Sequence, residues 1–160
     1  MTVELRPLTS SDYAAFLERV AELDAFHREV IPTVFRAVPD GEAIRTREWF
    51  EAAVADDATM LLGAWADGAL AGYAYAIIRV VEPAWIRVGR TYVELDNLAV
   101  GAAWQRRGIG TGLVDWIARW ARERGATEFE LGVWEANEGA TAFYDRLGFT
   151  TSRRHLSQRL

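Results

Sequence analysis

The chain of 160 residues contains no cysteine. Disulfide bonds, thiolate nucleophiles and cysteine-ligated metal sites are therefore excluded, and acyl transfer through a cysteine acyl-enzyme is excluded with them. No apolar run approaches the roughly 18 residues that a membrane-spanning helix needs. Residues 1–4 lack the basic stretch and apolar run of a secretory signal peptide. We therefore expect a cytoplasmic protein with no membrane partner.

Positive charge is also in short supply, because the formal net charge is -5 at pH 7. This balance argues against broad nucleic-acid binding, which requires a basic face, and is compatible with cationic substrates. The two histidines, His27 and His155, lie far apart, and no G-x-S-x-G motif accompanies them. We see no metal-binding constellation and expect no metal.

The chain is long enough for one domain, residues 1–160, with a core that needs no covalent staples. The apolar pattern and the turn signals predict strands over residues 2–8, 60–66, 70–81, 92–100 and 127–134, and we expect a final strand region over 149–160. It predicts helices from Tyr13 onward and over residues 42–55, 104–124 and 137–147, with a further short helix and loop within 24–39 and a turn at 39–41. This order indicates an α/β (α+β) fold with a largely antiparallel central sheet that contains one parallel pair.

The most informative stretch is residues 100–113, which reads V-G-A-A-W-Q-R-R-G-I-G-T-G-L. Three glycines lie where a helix begins, and each costs about 1 kcal/mol relative to alanine inside a helix. A compensating gain is close approach of the backbone to a ligand, with free N–H groups at the helix start directed at an anion. Two neighbouring arginines add positive charge. The stretch therefore predicts a phosphate or pyrophosphate cradle.

Two common phosphate-binding motifs do not fit this stretch. The Walker A motif requires a lysine that is absent here, and the dinucleotide motif requires its third glycine one position later. The segment Q-R-R-G-I-G, residues 105–110, instead resembles the signature of the GNAT family of N-acetyltransferases. Residues 137–149, N-E-G-A-T-A-F-Y-D-R-L-G-F, resemble the family's second block, and residues 92–100 resemble its central strand.

This resemblance implies a central mixed, mostly antiparallel sheet of six to seven strands, flanked by about four helices, and acetyl-CoA as co-substrate. The pyrophosphate would bind the backbone at the helix start, formed by Arg106, Arg107, Gly108, Ile109, Gly110 and Thr111. The pantetheine arm would pair with the end of the central strand, at Leu98, Ala99 and Val100. Asn137 matches the family residue that contacts the CoA arm and is also a good helix N-cap.

The resemblance also implies catalytic roles. Tyr144 matches the tyrosine that commonly protonates the leaving thiolate, although it also lies on the apolar stripe of its helix. Asp96 occupies a position where several family members carry an acidic residue. Glu94 and Asp96 share one strand face by period-2 spacing, so either can deprotonate the amine, directly or through water, and each can raise the pKa of the other.

We therefore expect transfer of an acetyl group to a small-molecule primary amine by direct attack in a ternary complex. Two alternatives stay open: a protein N-terminal or lysine acetyltransferase, and a non-catalytic acyl-CoA sensor. In the family, the segment corresponding to residues 24–38 forms one wall of the acceptor site, and Trp85 and His155 are weaker candidates for acceptor contact. A homodimer would match family habit.

Overall fold

The computed structural model describes residues 2–39 and 44–158. Five strands and four α-helices follow one another along these residues. The strands are β1 (Val3–Pro7), β2 (Thr59–Ala66), β3 (Ala69–Val81), β4 (Arg90–Val100) and β5 (Glu128–Leu131). The helices are α1 (Tyr13–Val30), α2 (Arg47–Ala55), α3 (Ile109–Glu123) and α4 (Glu138–Arg146), with single 3-10 turns at Ser10–Asp12 and Ala102–Trp104.

The strands form one sheet in the order β1-β2-β3-β4-β5. The first three pairings are antiparallel, and β4 and β5 pair in parallel. Helix α3 supplies the crossover that a parallel pair requires. The predicted mixed, mostly antiparallel sheet with about four helices is therefore confirmed.

The predicted strand count of six to seven is too high, because the described residues contain five. The strand expected over 149–160 is not formed between residues 149 and 158, and residues 159–160 lie outside the described part of the chain. Residues 151–158 are all exposed, and Leu156 is their only large apolar side chain, so a strand there would have no apolar face to bury. Phe149 alone packs inward, edge-on to Phe129 with ring centroids 5.2 Å apart.

Two helices differ from their predicted bounds. Helix α1 runs on to Val30, where the backbone N–H of Ile31 donates to the carbonyl of His27 at 2.8 Å. The second short helix expected within residues 24–39 is therefore wrong. Helix α2 begins at Arg47 because Thr46 caps it, its hydroxyl accepting from the Trp49 N–H at 3.2 Å. The turn predicted at 39–41 lies partly outside the described residues.

Each face of the sheet has its own apolar core. Helix α3 covers one face with the predicted residues Ile109, Leu113, Ile117 and Trp120, all buried, while Trp116 is half-buried. Helices α1 and α2 cover the other face around Phe16, Phe50 and Tyr73. The ring centroids of Phe50 and Tyr73 lie 4.9 and 5.1 Å from that of Phe16. None of the described helices is both long and apolar enough to cross a membrane.

The start of α1 is held by a buried carboxylate, Asp12. Its two oxygens accept from both terminal nitrogens of Arg6 at 2.8 and 3.0 Å, and one oxygen also accepts from the backbone N–H and hydroxyl of Thr9. The hydrogen bond from Arg6 is the largest cause that lowers the pKa of Asp12 to about 2, with the Thr9 bonds contributing. Charged hydrogen bonds of this kind are stronger than neutral ones.

We predict that Asp12→Asn lowers the free energy of unfolding by about 1–3 kcal/mol at neutral pH, because a charged hydrogen-bond partner of Arg6 is removed. Since the folded-state pKa is depressed, the wild-type advantage is present above about pH 4 and is lost as the pH falls toward 2. Urea unfolding of both proteins between pH 2 and 7 measures it. Asp57→Asn, at an exposed turn, is the matched control. An equal loss in both variants, or a pH-independent difference, would contradict this assignment.

Candidate active site

The site begins where two neighbouring strands separate. β4 and β5 pair only from Tyr92 and Glu128 to Leu95 and Leu131. β4 then continues to Val100, whereas the chain after β5 turns away toward α4. The register between β3 and β4 also shifts there, because Tyr75 opposes Asn97 and Ala76 opposes Leu95. Asp96 is therefore the extra residue of a β-bulge, which bends a strand and increases its twist.

A cavity lies in the gap between the separated strands. β4 contributes residues 95–98, the segment after β5 contributes residues 132–134, and α1 contributes Leu23 and His27. α4 contributes Asn137, Ala140 and Tyr144. The structure thus brings Asp96, Leu98, Asn137 and Tyr144 together, although they are far apart in the sequence.

The outer edge of β4 has no strand partner beyond Leu95 among the described residues. Leu98, Ala99 and Val100 pair on one side with β3, at Ala74, Tyr73 and Gly72. One edge group is engaged, because Gln105 donates from its side-chain amide to the carbonyl of Val100 at 3.1 Å. An edge of this kind can accept an extended ligand as an added strand.

The start of α3 presents unpaired backbone donors. The first intrahelical bond runs from the N–H of Gly112 to the carbonyl of Gly108 at 2.9 Å, so residues 109–111 have no intrahelical acceptor. Gly108 has φ +80°, a left-handed conformation that suits glycine. Arg106 and Arg107 are exposed beside it. The predicted helix start near Trp104 is wrong, because Ala102–Trp104 is a 3-10 turn and α3 begins at Ile109.

Packing accounts for the second glycine of the signature. A Cβ atom at Gly110 would lie 3.2 Å from the ring of Phe143 on α4. The absent side chain therefore lets α4 lie against the start of α3, and α4 carries Tyr144 into the cavity. This contact is a reason for Gly110 in addition to the predicted approach of a ligand.

Asn137 caps α4 as predicted. Its side-chain oxygen accepts from the N–H of Ala140 at 3.1 Å. This hydrogen bond fixes the first turn of α4, where Asn137 and Ala140 line the cavity.

Tyr144 is half-buried between aromatic rings. The ring centroids of Phe143 and Phe149 are 5.1 and 5.5 Å from its own. Burial raises the pKa of Tyr144 to about 12, so the phenol is neutral at pH 7. Within the described residues its hydroxyl has no hydrogen-bond partner, which leaves the O–H available to a ligand in the cavity.

The two candidate carboxylates have different surroundings. The bulge interrupts the simple alternation that was expected between Glu94 and Asp96. Glu94 accepts from Arg79 Nε at 2.6 Å and is not among the residues that line the cavity. Asp96 does line it, with 43% of its side chain exposed, and its nearest cation is Arg45 at 3.8 Å.

Several residues at this site were not predicted individually from the sequence, although His27 and Phe35 lie in the segment 24–38 that was expected to form an acceptor wall. His27 lines the cavity and stacks on Phe35 at 4.9 Å, and Phe35 meets Trp134 edge-on at 5.8 Å. Burial lowers the pKa of His27, and Asp24 partly opposes this, so the imidazole is mostly neutral at pH 7. Arg45 and Asn97 were missed because neither belongs to a motif.

The remaining sequence candidates lie elsewhere. Trp85 is fully exposed at the tip of the β3–β4 hairpin, and His155 is exposed in the C-terminal segment. Neither lines the cavity. The segment 24–38, expected to form an acceptor wall, contributes His27 to the lining.

The chain is similar to known acetyltransferases over most of its length. A model of the acetyltransferase (GNAT) family matches residues 23–149. An aminoglycoside N(6')-acetyltransferase type 1 of Klebsiella aerogenes is 27% identical over 150 residues, which is 91% of this chain and 88% of that protein. An uncharacterized N-acetyltransferase of Methanocaldococcus jannaschii is 40% identical over 60 residues, 38% of this chain, but the match spans only 26% of that relative.

Solved structures share the fold at low identity. A tetramutant of the BH1408 protein from Bacillus halodurans superimposes with a TM-score of 0.90 at 20% identity, covering 98% of this chain and 99% of that one. AAC(6')-Iy in complex with the bisubstrate analog CoA-S-monomethyl-acetylneamine gives a TM-score of 0.73 at 19% identity, covering 100% and 99%.

Proposed function

Because this chain belongs to the acetyltransferase (GNAT) family, we propose that it is an N-acetyltransferase that moves the acetyl group of acetyl-CoA to a primary amine of a small molecule. The observation that carries this proposal is the cavity between the separated β4 and β5. It places a carboxylate, a neutral phenol and an unpaired strand edge around one space. The amine attacks the thioester directly in a ternary complex, and a chain without cysteine cannot form a cysteine acyl-enzyme instead.

The CoA moiety binds along two adjoining surfaces. The pyrophosphate lies at the start of α3, where the unpaired N–H groups of residues 109–111, the helix dipole and the exposed Arg106 and Arg107 favour an anion. The pantetheine arm extends along the edge of β4 at residues 98–100, next to the cavity that Leu98 and Asn137 both line. This path brings the thioester toward Tyr144.

Asp96 is the residue that we assign to deprotonation of the acceptor amine. An alkyl ammonium group has a pKa near 10.4, so at pH 7 it must lose a proton before it can attack. Asp96 lines the cavity and is accessible, whereas Glu94 is paired with Arg79 outside it. We therefore assign Asp96 as the proton acceptor, directly or through water.

Tyr144 is the residue that we assign as the proton donor to the leaving sulfur of CoA. Attack by the amine nitrogen on the thioester carbon forms the C–N bond and places negative charge on the carbonyl oxygen, which a backbone N–H of the β4 edge can stabilise. The C–S bond then breaks, and sulfur takes a proton to give free CoA. A phenol with a pKa of about 12 is a weak acid toward a thiolate with a pKa near 8.5. The proton therefore moves only as the C–S bond breaks. After attack the nitrogen still carries one proton more than the amide product, and this second proton, distinct from the one that Asp96 takes from the ammonium group, returns to the phenolate oxygen.

Release of the free CoA thiol from acetyl-CoA tests the activity across a panel of small amines and short peptides, with thermal shift by acetyl-CoA alongside. The absence of cysteine in this chain removes any background thiol. Release with a small amine supports the proposal. Release with peptides alone would favour a protein acetyltransferase, and stabilisation without release from any acceptor would favour an acyl-CoA sensor.

We predict that Tyr144→Phe lowers kcat by about 10²-fold or more, because the proton donor to sulfur is lost. The affinity for acetyl-CoA should stay nearly unchanged, since the ring still packs against Phe143 and Phe149. Steady-state kinetics and calorimetric titration with CoA measure the two effects. Tyr92→Phe is the matched control, because Tyr92 lies on β4 outside the cavity and packs under Arg90. Equal turnover in the wild type and Tyr144→Phe would remove Tyr144 as the acid.

We predict that Asp96→Asn lowers kcat/KM by about 10²-fold or more at neutral pH, because the amide cannot take a proton from the ammonium group. The pH–rate profile should then rise only as the free amine itself accumulates toward pH 10. Glu94→Gln, measured in parallel, should have a much smaller effect. An unchanged profile for Asp96→Asn would move the base to His27, the neutral imidazole that lines the same cavity.

A further inference from the structure

A guanidinium group lies beside the proposed base without belonging to any motif. Arg45 precedes α2, and its Nη2 donates to the side-chain oxygen of Asn97 at 2.8 Å and lies 3.8 Å from Asp96. Its planar head also lies over the ring of Trp49, 5.0 Å from the centroid. Only 19% of the side chain is exposed. A charge is thus held in a fixed, largely desolvated place next to the cavity.

The hydrogen-bonding capacity of Arg45 is only partly used. A guanidinium has five N–H donors, and the polar side-chain contacts of Arg45 with the described residues all run through Nη2. Nε and Nη1 have no acceptor in that part of the chain. Among the described residues, the buried side-chain polar atoms without a partner belong to Trp65 and Trp120, so Nε and Nη1 of Arg45 reach solvent and are open to water or to a ligand. Each of them can donate a charge-assisted hydrogen bond to an oxygen of a carboxylate or phosphate group.

The structural network around Arg45 does not need those remaining donors. Asn97 also accepts from the Tyr73 hydroxyl at 3.4 Å and donates to the backbone carbonyl of Asp96 at 2.6 Å. The side-chain amide of Asn97 therefore holds the bulge residue Asp96 in place, and Arg45 takes part in this network only through Nη2. The Nε and Nη1 atoms of Arg45 remain available to a ligand.

The carboxylates of Asp24 and Asp96 act electrostatically on the Tyr73 hydroxyl, as does Arg45. Burial raises the pKa of Tyr73, Arg45 lowers it, and Asp24 and Asp96 raise it, so one guanidinium and two carboxylates act on this hydroxyl. Asp96 and Asn97 both line the cavity. Asp96 therefore brings negative charge to the cavity wall, and Arg45, which is not itself a lining residue, lies 3.8 Å from that carboxylate. A purely cationic acceptor would match Asp24 and Asp96 and would be repelled by Arg45.

We propose that the acceptor carries an oxyanion group, a carboxylate or a phosphate, in addition to its amine, and that Arg45 binds this group. The assignment rests on the proposed N-acetyltransferase function and narrows its substrate class. Because Arg45 Nη2 and Asp96 are 3.8 Å apart, the amine and the oxyanion of the acceptor are separated by few bonds. Amino acids and phosphorylated amino sugars have this character, whereas polyamines lack the anion.

The test compares matched acceptor pairs by release of CoA thiol. One pair is an amino acid and the amine left after removal of its carboxylate, and the other is an amino sugar and its phosphate ester. Wild type should favour the anionic member of one pair by at least about tenfold in kcat/KM, because a site built to hydrogen-bond a group rejects the analogue that lacks it. The pair that shows the preference identifies carboxylate or phosphate.

Substitution of Arg45 then tests whether this residue causes the preference for the anionic acceptor. Arg45→Met should raise KM for the anionic member and bring the ratio of the two kcat/KM values close to one, so the ratio, and not the absolute rate, is the readout. Arg45→Lys should keep part of the preference, since a compact positive charge remains in place of the guanidinium. Arg47→Met is the matched control, because this arginine is two residues away, 58% exposed and paired with Glu51. Thermal unfolding midpoints verify that each variant is folded.

A second readout uses the wild type alone. The deaminated analogue of the preferred acceptor, which keeps the oxyanion, should compete with the acceptor, and its uncharged amide should not. No preference in either pair, or a preference that survives in Arg45→Met, would overturn the assignment of Arg45 and leave the acetyltransferase standing. Absence of release from every acceptor, with no stabilisation by acetyl-CoA, would overturn the proposed function and the assignment of Arg45 with it.

Discussion

The constraint on which the site depends is the end of hydrogen-bonded pairing between β4 and β5. A parallel pair joins Tyr92–Leu95 to residues 128–131, and the extra residue at Asp96 then bends β4 away from that partner. Backbone groups that lose a partner inside a protein have to be satisfied by something else. The gap therefore creates a cavity and an unpaired strand edge together, and the cofactor and the reacting groups are assigned to that space.

The two faces of the sheet carry different parts of the proposed site around this gap. On one side, α3 is fixed by a deep apolar stripe, so its N-terminal turn keeps its donors in one place. The small residue Gly110 lets α4 approach that turn, which positions Tyr144. On the other side, α1 and the lead into α2 bring His27 and Arg45 to the same bulge. The first side holds the features that we assign to the cofactor, and the second holds those that we assign to the acceptor.

Regular features could be read from the sequence because a repeating physical pattern encodes them. The spacing of Ile109, Leu113 and Ile117 predicted α3, and Asn137 predicted the start of α4. The strand predicted over residues 149–160 does not form between 149 and 158, because after Phe149 those residues offer only Leu156 as a large apolar side chain to bury. The bulge at Asp96 gave no signal, since one inserted residue changes neither composition nor polarity. Arg45 could not be assigned because its importance comes from contacts with Asn97 and Trp49, which only the fold brings near it.

The central claim is that acetyl-CoA occupies both the free edge of β4 and the start of α3. Backbone hydrogen exchange with and without acetyl-CoA tests it directly, because the amides of residues 109–111 lack intrahelical acceptors and exchange fast when no ligand is bound. We predict that acetyl-CoA slows exchange in residues 98–100 and 109–111 together. Binding of acetyl-CoA with protection of other segments and no change in these two would contradict the account.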